Sequence, residues 1–190
     1  MKRLTLGVVV FILLLAQHAN AQSKWYLILY GGQITDGTLG ETLCGAVGLE
    51  NSYFTTLAVA RELKRFDDWV SVEVEGQVVQ HFGIQDHEEF NLALVVRWLP
   101  FPWDCYLDTS FALGDGLSYA TDIPEIESER HDEVSTRFLN YLMFEFDFKL
   151  PQFPRWSLIA RLHHRSGIYG LFDGVDGASN AVCLGVKYNL

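Results

Sequence analysis

The sequence predicts an all-β fold: an eight-stranded antiparallel transmembrane β-barrel of the outer-membrane type. Three observations predict it: an export signal at the amino end, long runs of alternating apolar and polar residues, and short connections that alternate with long ones. The runs have about 10 to 12 residues, the length of tilted membrane strands, whereas strands of soluble proteins cluster near 5–6. Beyond the export signal, no segment approaches the roughly 20 apolar residues of a membrane helix.

The amino end has the three parts of a secretory signal peptide. Its first three residues are basic or neutral, residues 4–16 are almost entirely apolar, and Ala19-Asn20-Ala21 is a small-x-small cleavage site. We therefore expect residues 1–21 to be removed during export and the mature chain to begin at Gln22. Residues 22–190 then form a single barrel domain, which we expect in the bacterial outer membrane.

Charge and cysteine content narrow the function classes. The formal net charge is -10, and an acidic chain does not favour nucleic acid as a partner. Cys44, Cys105 and Cys183 are odd in number and lack metal-type spacing, so at most one disulfide can form. No cofactor is expected.

Alternation of apolar and polar residues locates the strands. It predicts them at 24–34, 54–64, 69–81, 89–98, 105–119, 138–150, 156–166 and 180–190. A ninth segment, 41–50, is short and contains two glycines, so we assign it to an ordered first extracellular loop, because a bacterial barrel has an even number of strands. Eight-stranded barrels are filled by their own side chains, which argues against a water-filled pore.

The turn between the sixth and seventh predicted strands fixes their register. With Phe153 at its centre, Arg161 lies opposite Glu145, which is a favourable cross-strand pair. Both residues are predicted to face inward by the alternation of their own strands. The lumen is expected to hold further charges: Arg97, Asp108, Glu73 and Glu75. This pattern predicts a plugged lumen that serves as scaffolding.

The tryptophans and the last residues agree with this orientation. All five tryptophans lie at the start of the first strand or beside short connections, as an interfacial girdle requires: Trp25, Trp69, Trp98, Trp103 and Trp156. Residues 185–190 resemble the terminal signal that barrel assembly machinery recognises, with Leu190 where phenylalanine is more usual. We therefore expect a membrane-embedded protein whose partners include that machinery.

A histidine and a serine continue the apolar face of strand 156–166. Leu158, Ala160, Leu162, His164 and Ser166 share that face because strand side chains alternate. Residues two apart on a strand have Cα atoms roughly 6.5–7 Å apart, close enough for an imidazole and a hydroxyl to approach hydrogen-bond contact. A serine becomes a good nucleophile when such a base lies in reach.

This pair carries a family resemblance. A His-x-Ser at the outer end of the penultimate strand of a small exported barrel resembles the lipid A 3-O-deacylase family of acyloxyacyl hydrolase-like barrels. The resemblance is loose over the mature chain and close only at His164-Arg165-Ser166. It implies a carboxylic ester hydrolase that acts on lipid A or another outer-leaflet lipid, with Ser166 as nucleophile and His164 as general base.

The supporting residues of the family differ in this chain. The family has a glutamate at the start of the last strand and an asparagine directly after the serine, where this chain has Ser179-Asn180 and Gly167. Asp176 is the preferred third catalytic residue because it lies nearer the last strand, and Asp173 is the alternative. Asn180 is expected to supply an oxyanion donor or to orient His164.

No metal site is expected at this pair. Adjacent strand residues point to opposite faces, so His163 and His164 cannot share an ion without breaking the strand. His163 and Arg165 are expected to face the mouth of the lumen instead.

Two other functions stay open. A non-catalytic small barrel could stabilise the envelope or bind a partner through its loops. A soluble secreted barrel that holds an apolar ligand inside would also show alternation, because periodicity alone does not tell which face points inward.

Overall fold

The computed structural model describes residues 24–130, 135–175 and 178–190. The proposed signal peptide, residues 1–21, and the expected new amino terminus, Gln22, lie outside the described residues. Asp176, the preferred third catalytic residue, also lies outside them.

Eight antiparallel strands form one closed barrel in chain order, with the last strand pairing with the first. They are β1 (Trp25–Thr35), β2 (Leu49–Phe66), β3 (Val70–Gly83), β4 (Glu88–Trp98), β5 (Asp108–Ala120), β6 (Phe138–Lys149), β7 (Trp156–Ser166) and β8 (Ala178–Asn189). Two short helices, α1 (Leu39–Leu43) and α2 (Glu125–Arg130), lie in the connections β1–β2 and β5–β6. We call the end of the barrel with these connections the loop end and the opposite end the turn end.

The predicted fold class and strand number are confirmed. The discarded segment 41–50 is a loop that contains most of α1, although β2 begins at Leu49, five residues before the prediction. The predicted start of the fifth strand at residue 105 is wrong. Asp104 accepts hydrogen bonds from the backbone N–H groups of Phe101 and Thr109 at 2.9 and 3.0 Å, which holds residues 101–109 in a turn.

The outer face of the barrel is apolar, and the lumen holds many buried polar and charged side chains beside its hydrophobic clusters. On β4, Leu92, Leu94 and Val96 face outward with 59%, 59% and 50% of their surface exposed, while Asn91 and Arg97 are buried in the lumen. This distribution is typical of a transmembrane barrel. It is the opposite of the apolar interior that a soluble barrel needs to hold an apolar ligand.

A network of ion pairs fills the middle of the lumen. Arg161 donates to Glu145 at 2.9 Å and to Glu75 at 3.1 Å, and Arg97 donates to both Glu73 and Glu145 at 2.9 Å. The predicted pairing of Glu145 with Arg161 across β6 and β7 is confirmed. Each charge of this network therefore has a partner, as burial in a low-dielectric interior requires.

Asp108 faces the lumen, as expected, but at its turn end and outside this network. Its carboxylate pairs with Lys149 at 2.5 Å, and both side chains are partly exposed at the turn end. Asp108 is the first residue of β5 and its Cα partner is Lys149, so the pair lies at the rim of the barrel rather than at its centre.

The aromatic residues of the turn end form contacts along the rim. Trp69 and Trp98 meet edge to face with ring centroids 5.7 Å apart, and Trp156 packs on Tyr188 at 4.7 Å. This placement fits the interfacial girdle expected from the sequence. Among the described residues, no helix has the length and apolar character to cross a bilayer.

Helix α2 closes the lumen at the loop end. Its Glu127 is buried and accepts hydrogen bonds from Arg165 at 2.6 Å and from the Ser179 hydroxyl at 2.7 Å. Ile126 is also buried and belongs to a hydrophobic cluster that extends along the inside of the barrel. The β5–β6 connection is therefore anchored to the inner faces of β7 and β8.

Candidate active site on the outer wall

Strand β7 presents His164 and Ser166 on the outside of the barrel and their neighbours on the inside. His163 lies 3.0 Å from a carboxylate oxygen of Glu89 in the lumen, and Arg165 reaches Glu127. These contacts place His163 and Arg165 at the mouth of the lumen, as expected. Because strand residues alternate, His164 and Ser166 lie on the opposite, lipid-facing side.

His164 is held by Asn180, its Cα partner on β8. Nδ1 of His164 lies 2.7 Å from Oδ1 of Asn180, and Nδ2 of Asn180 donates to the carbonyl of Gly37 at 2.9 Å. A carbonyl only accepts, so this second bond fixes which end of the amide faces the histidine. Nδ1 must then carry the proton, and Nε2 of the neutral imidazole is left as a base.

The β1–β2 connection, which we call the first loop, covers His164 and Asn180. Asn180 accepts a hydrogen bond on its backbone carbonyl from Thr35 at 3.3 Å, and the Thr35 hydroxyl lies 3.0 Å from that of Thr42 on α1. Helix α1 starts with a capping box in which Thr38 and Glu41 bond reciprocally, which fixes its first turn. Under this cover His164 is only 6% exposed, although it lies on the outer wall.

Ser166 is half-buried beside the histidine at the end of β7. Within the part of the chain that the structure describes, its hydroxyl makes no hydrogen bond, so the contact with His164 is not formed in this state. Catalytic hydrogen bonds are often long before substrate binds, and the two residues share one face at a separation that a rotamer change can close.

The register brings Asn140 next to Ser166, which sequence reasoning missed. Asn140 on β6 is the Cα partner of Ser166 and donates from Nδ2 to Asp115 at 3.0 Å and to the carbonyl of Gly116 at 2.9 Å. Asp115 is exposed on the outer face of β5. A band of polar side chains thus crosses the lipid-facing wall near the loop end: Asp115, Asn140, Ser166, His164, Asn180 and Thr35.

Four of the five expected site residues are described, and the structure brings two of these into contact, His164 and Asn180. Asp173 is exposed, and its hydrogen-bond partner in the described structure is the Thr136 hydroxyl at 3.1 Å, not His164. At the start of β8, the position of the family glutamate, Ser179 faces inward and donates to Glu127. The side chain that orients His164 in the described structure is therefore the amide of Asn180.

Gly167 is required by the loop that follows the serine. A Cβ atom at this position would lie 2.0 Å from the backbone oxygen of Val175, so no larger residue fits this conformation. The asparagine that the resemblance implies after the serine is therefore excluded here. The loop is strained as well, since Ile168, Tyr169 and Asp173 have φ near +50°, and such strain is often found at functional sites.

An open apolar trough runs along the outer wall beside the polar band. Its volume is about 890 Å³, and its lining residues include Gly31, Leu43, Phe144, Ala160, Leu162 and Val182. Leu162 lies two residues from His164 on the same face, and Val182 has the same relation to Asn180. The trough therefore begins directly beside the histidine pair and extends toward the middle of the lipid-facing belt.

The β7–β8 loop presents an apolar tip near the serine. Tyr169 is 95% exposed and Leu171 is 74% exposed. Exposed apolar side chains beside a lipid-facing wall favour contact with the membrane interface.

Within the described residues, the donor set that could hold a metal ion lies in the lumen and not on the outer wall. It consists of His81, His87 and Glu89. Burial, together with the neighbouring His81, lowers the pKa of His87 to about 4, so this imidazole is neutral at pH 7.

Comparisons with known proteins identify the architecture. No protein-family model matches the chain, and no curated protein matches it. The outer membrane enzyme PagL superposes with a TM-score of 0.60 at 12% identity, covering 85% of this chain and 98% of its own. Neisserial surface protein A superposes with a TM-score of 0.52 at 10% identity, covering 86% of this chain and 96% of its own. The N-terminal β-barrel domain of Pseudomonas aeruginosa OprF superposes with a TM-score of 0.50 at 11% identity, covering 88% of this chain and 97% of its own. At such identities the likeness shows the fold alone: this chain is a small eight-stranded barrel of the outer-membrane type.

Proposed function

We propose that this protein is an outer-membrane serine esterase that removes an ester-linked acyl chain from lipid A or a related glycolipid. The observation that carries the proposal is the pair of His164 and Asn180 on the lipid-facing wall. This histidine is buried, its tautomer is fixed by Asn180, and it lies two residues from a serine on a surface that otherwise faces lipid. This is the arrangement that a serine hydrolase needs.

The chemistry follows from the tautomer. Nε2 of His164 takes the proton of the Ser166 hydroxyl as the oxygen attacks the ester carbonyl, and the imidazolium then protonates the leaving alkoxide. Water, deprotonated by the same nitrogen, hydrolyses the acyl-serine and releases the fatty acid. The Asn180 amide is already bonded to His164 and Gly37, so its role is to orient the base.

The surroundings of the pair favour a lipid substrate. The apolar trough can receive an acyl chain from the outer leaflet without removing it from the hydrocarbon region. The exposed tip at Tyr169 and Leu171 lies on the loop that follows Ser166. A substrate would thus arrive by lateral diffusion. The likeness to an outer membrane enzyme adds that this architecture supports catalysis in at least one protein.

Mass spectrometry of lipid A tests the proposal. The full-length chain is expressed, purified from the outer-membrane fraction in detergent and incubated with lipid A. We expect loss of one acyl chain with the wild type and none with Ser166→Ala. Ser157→Ala is the matched control, because Ser157 lies on the same strand at the turn end, and it should retain the activity.

Two results would contradict the esterase. Release that persists in Ser166→Ala would exclude this serine as the nucleophile. A folded wild-type barrel that releases no fatty acid from lipid A or phospholipids would instead support a non-catalytic barrel with a structural or loop-mediated binding role. That second function is favoured by two facts. The side chains of Ser166 and His164 are not hydrogen-bonded, and this chain lacks the glutamate and the asparagine of the family.

Export to the outer membrane belongs to the same proposal. Cleavage after Ala21 predicts a mature protein that begins at Gln22, and the terminal segment 185–190 serves barrel assembly. The intact mass of the protein purified from the outer-membrane fraction shows directly whether the chain begins at Gln22.

A further inference from the structure

A second cluster of functional groups lies inside the barrel at the loop end. His81 comes from β3, Glu89 from β4 and His87 from the turn 84–87 that joins them. Their side chains are 3%, 2% and 5% exposed, in the order named. One donor atom from each lies within 4.8 Å of the other two. The proposed esterase does not use any of these residues.

Two of the three donors are hydrogen-bonded to each other, at a distance slightly shorter than the spacing of two ligands on one metal ion. Nε2 of His81 lies 3.0 Å from a carboxylate oxygen of Glu89. Ligands about 2.0–2.1 Å from a tetrahedral ion are roughly 3.3–3.4 Å apart. The ring of His87 stacks on that of His81 with centroids 4.3 Å apart. Parallel rings do not direct their nitrogen lone pairs at one point, so metal binding requires the His87 side chain, which lies in a turn rather than in a strand, to rotate toward the other two donors.

Unsatisfied polar atoms mark the same place. Five side-chain atoms among the described residues are buried without a hydrogen-bond partner, and two of them, Nε2 of His87 and Oε1 of Gln85, belong to this cluster and its neighbour. A buried polar atom without a partner is costly and calls for an explanation such as an ion. A metal ion bound to Nε2 would satisfy His87.

Gln85 supplies the outer contact that a metal-bound histidine needs. Its amide lies 3.2 Å from Nδ1 of His81. When Nε2 binds a metal, Nδ1 carries the proton and donates to a carbonyl or carboxylate. Rotation of the amide by 180° brings Oε1 to that position, so the unpaired oxygen gains a donor.

The rest of the cavity holds these groups in place. His163 lies 3.0 Å from the second oxygen of Glu89, which orients the carboxylate. Phe54 packs its ring against both His81 and His163 at 5.0 Å. The donors are therefore fixed by a surrounding shell of side chains and shielded on one side from water.

We propose that His81, His87 and Glu89 bind a divalent transition-metal ion, with Zn²⁺ as the reference ion. Two imidazoles and one carboxylate form a donor set that suits zinc, and three protein ligands leave a fourth tetrahedral position for water. The bound ion ties the turn 84–87 to the ends of β3 and β4. The site is independent of the esterase, because it lies inside the barrel.

Calorimetry with Zn²⁺ on the purified full-length protein tests the site. Cys44 and Cys105 are exposed thiols, so both are replaced by serine in every variant, and any affinity tag is removed. We expect one Zn²⁺ per chain, and binding weakened more than about tenfold in His87→Gln and in Glu89→Gln. Asp86→Asn is the matched control, because Asp86 is a neighbouring acid outside the set, and it should bind within about twofold of the parent.

Co²⁺ provides a second readout on the parent protein alone. Visible absorption typical of tetrahedral nitrogen and oxygen ligands is expected, and Zn²⁺ should remove it by competition. The site would be excluded by a folded parent that binds neither ion. The heat-dependent mobility of the barrel in gels shows whether His87→Gln is folded. The site would also be excluded if this folded variant bound Zn²⁺ as tightly as the parent.

Discussion

Arg161 on β7 and Glu145 on β6 face each other across the strand pair, and both side chains are completely buried in the lumen. The same guanidinium also reaches Glu75 on β3, which lies far away in the chain. One arginine thus pairs with two buried carboxylates and connects three strands of the barrel.

Replacement of Arg161 by methionine should destabilise the barrel strongly. Methionine keeps much of the volume but leaves Glu75 and Glu145 with less compensation, and breaking a buried ion pair costs about 3–5 kcal/mol. Unfolding in urea, followed by the gel mobility of the folded barrel, measures the loss in free energy of unfolding.

Lys149→Met is the matched control for this change. Lys149 pairs with Asp108 at the turn end, where both side chains are partly exposed, and such pairs contribute roughly 0–1 kcal/mol. Equal losses in the two variants would contradict the view that the buried network stabilises the barrel.

Asn180→Ala should slow the proposed esterase while the barrel stays folded. Without the amide, the tautomer of His164 is no longer fixed, and we expect a loss on the order of 10- to 100-fold, part of the effect of general base catalysis. The initial rate of fatty acid release from lipid A gives the measurement. Asn189→Ala, near the turn end of the same strand, should keep the wild-type rate, and an unchanged rate in Asn180→Ala would remove the orienting role.

Gly167→Ala should disturb the loop after the serine. The new methyl group would meet the backbone oxygen of Val175, and overpacking of this kind costs about 1–3 kcal/mol. Limited proteolysis should therefore cut the loop faster in this variant. Gly76→Ala makes the same chemical change on β3, where an added Cβ atom would have no non-neighbouring atom within 4 Å. In this variant the loop after the serine should be cleaved at the wild-type rate.

The tryptophans should report one depth in a lipid bilayer. All five lie at or near the turn end, so bromine atoms near the lipid headgroups should quench their fluorescence more than bromine atoms at the chain ends. Reconstituted vesicles of each lipid provide the comparison. Fluorescence unaffected by either lipid would contradict a membrane-embedded barrel.

Local rules made much of the fold predictable. Alternation located eight strands because each one separates an apolar face from a polar one. The tight turn 150–155 fixed the register that pairs Glu145 with Arg161. The same register places Asn140 opposite Ser166, so the turn also determines this neighbour of the serine.

The contacts that surround the candidate site could not be predicted from strand alternation and short turns. The contact of His164 with Asn180 depends on a long β7–β8 loop, whose length does not determine a register. Gly37 and Thr42 approach the pair because the first loop folds back over the wall. Glu127 enters the lumen from a charged loop that resembles a solvated one in sequence. These contacts join segments that local patterns treat separately.

The ion-paired layer across the lumen also bears on the permeability of the membrane. Arg97 and Arg161 bridge carboxylates from opposite sides of the barrel at its centre, so a hydrated ion would have to break several buried contacts to pass. The barrel should therefore act as an electrical insulator. A cell could carry many copies of it in the outer membrane without a leak of nutrients or an entry route for toxic solutes.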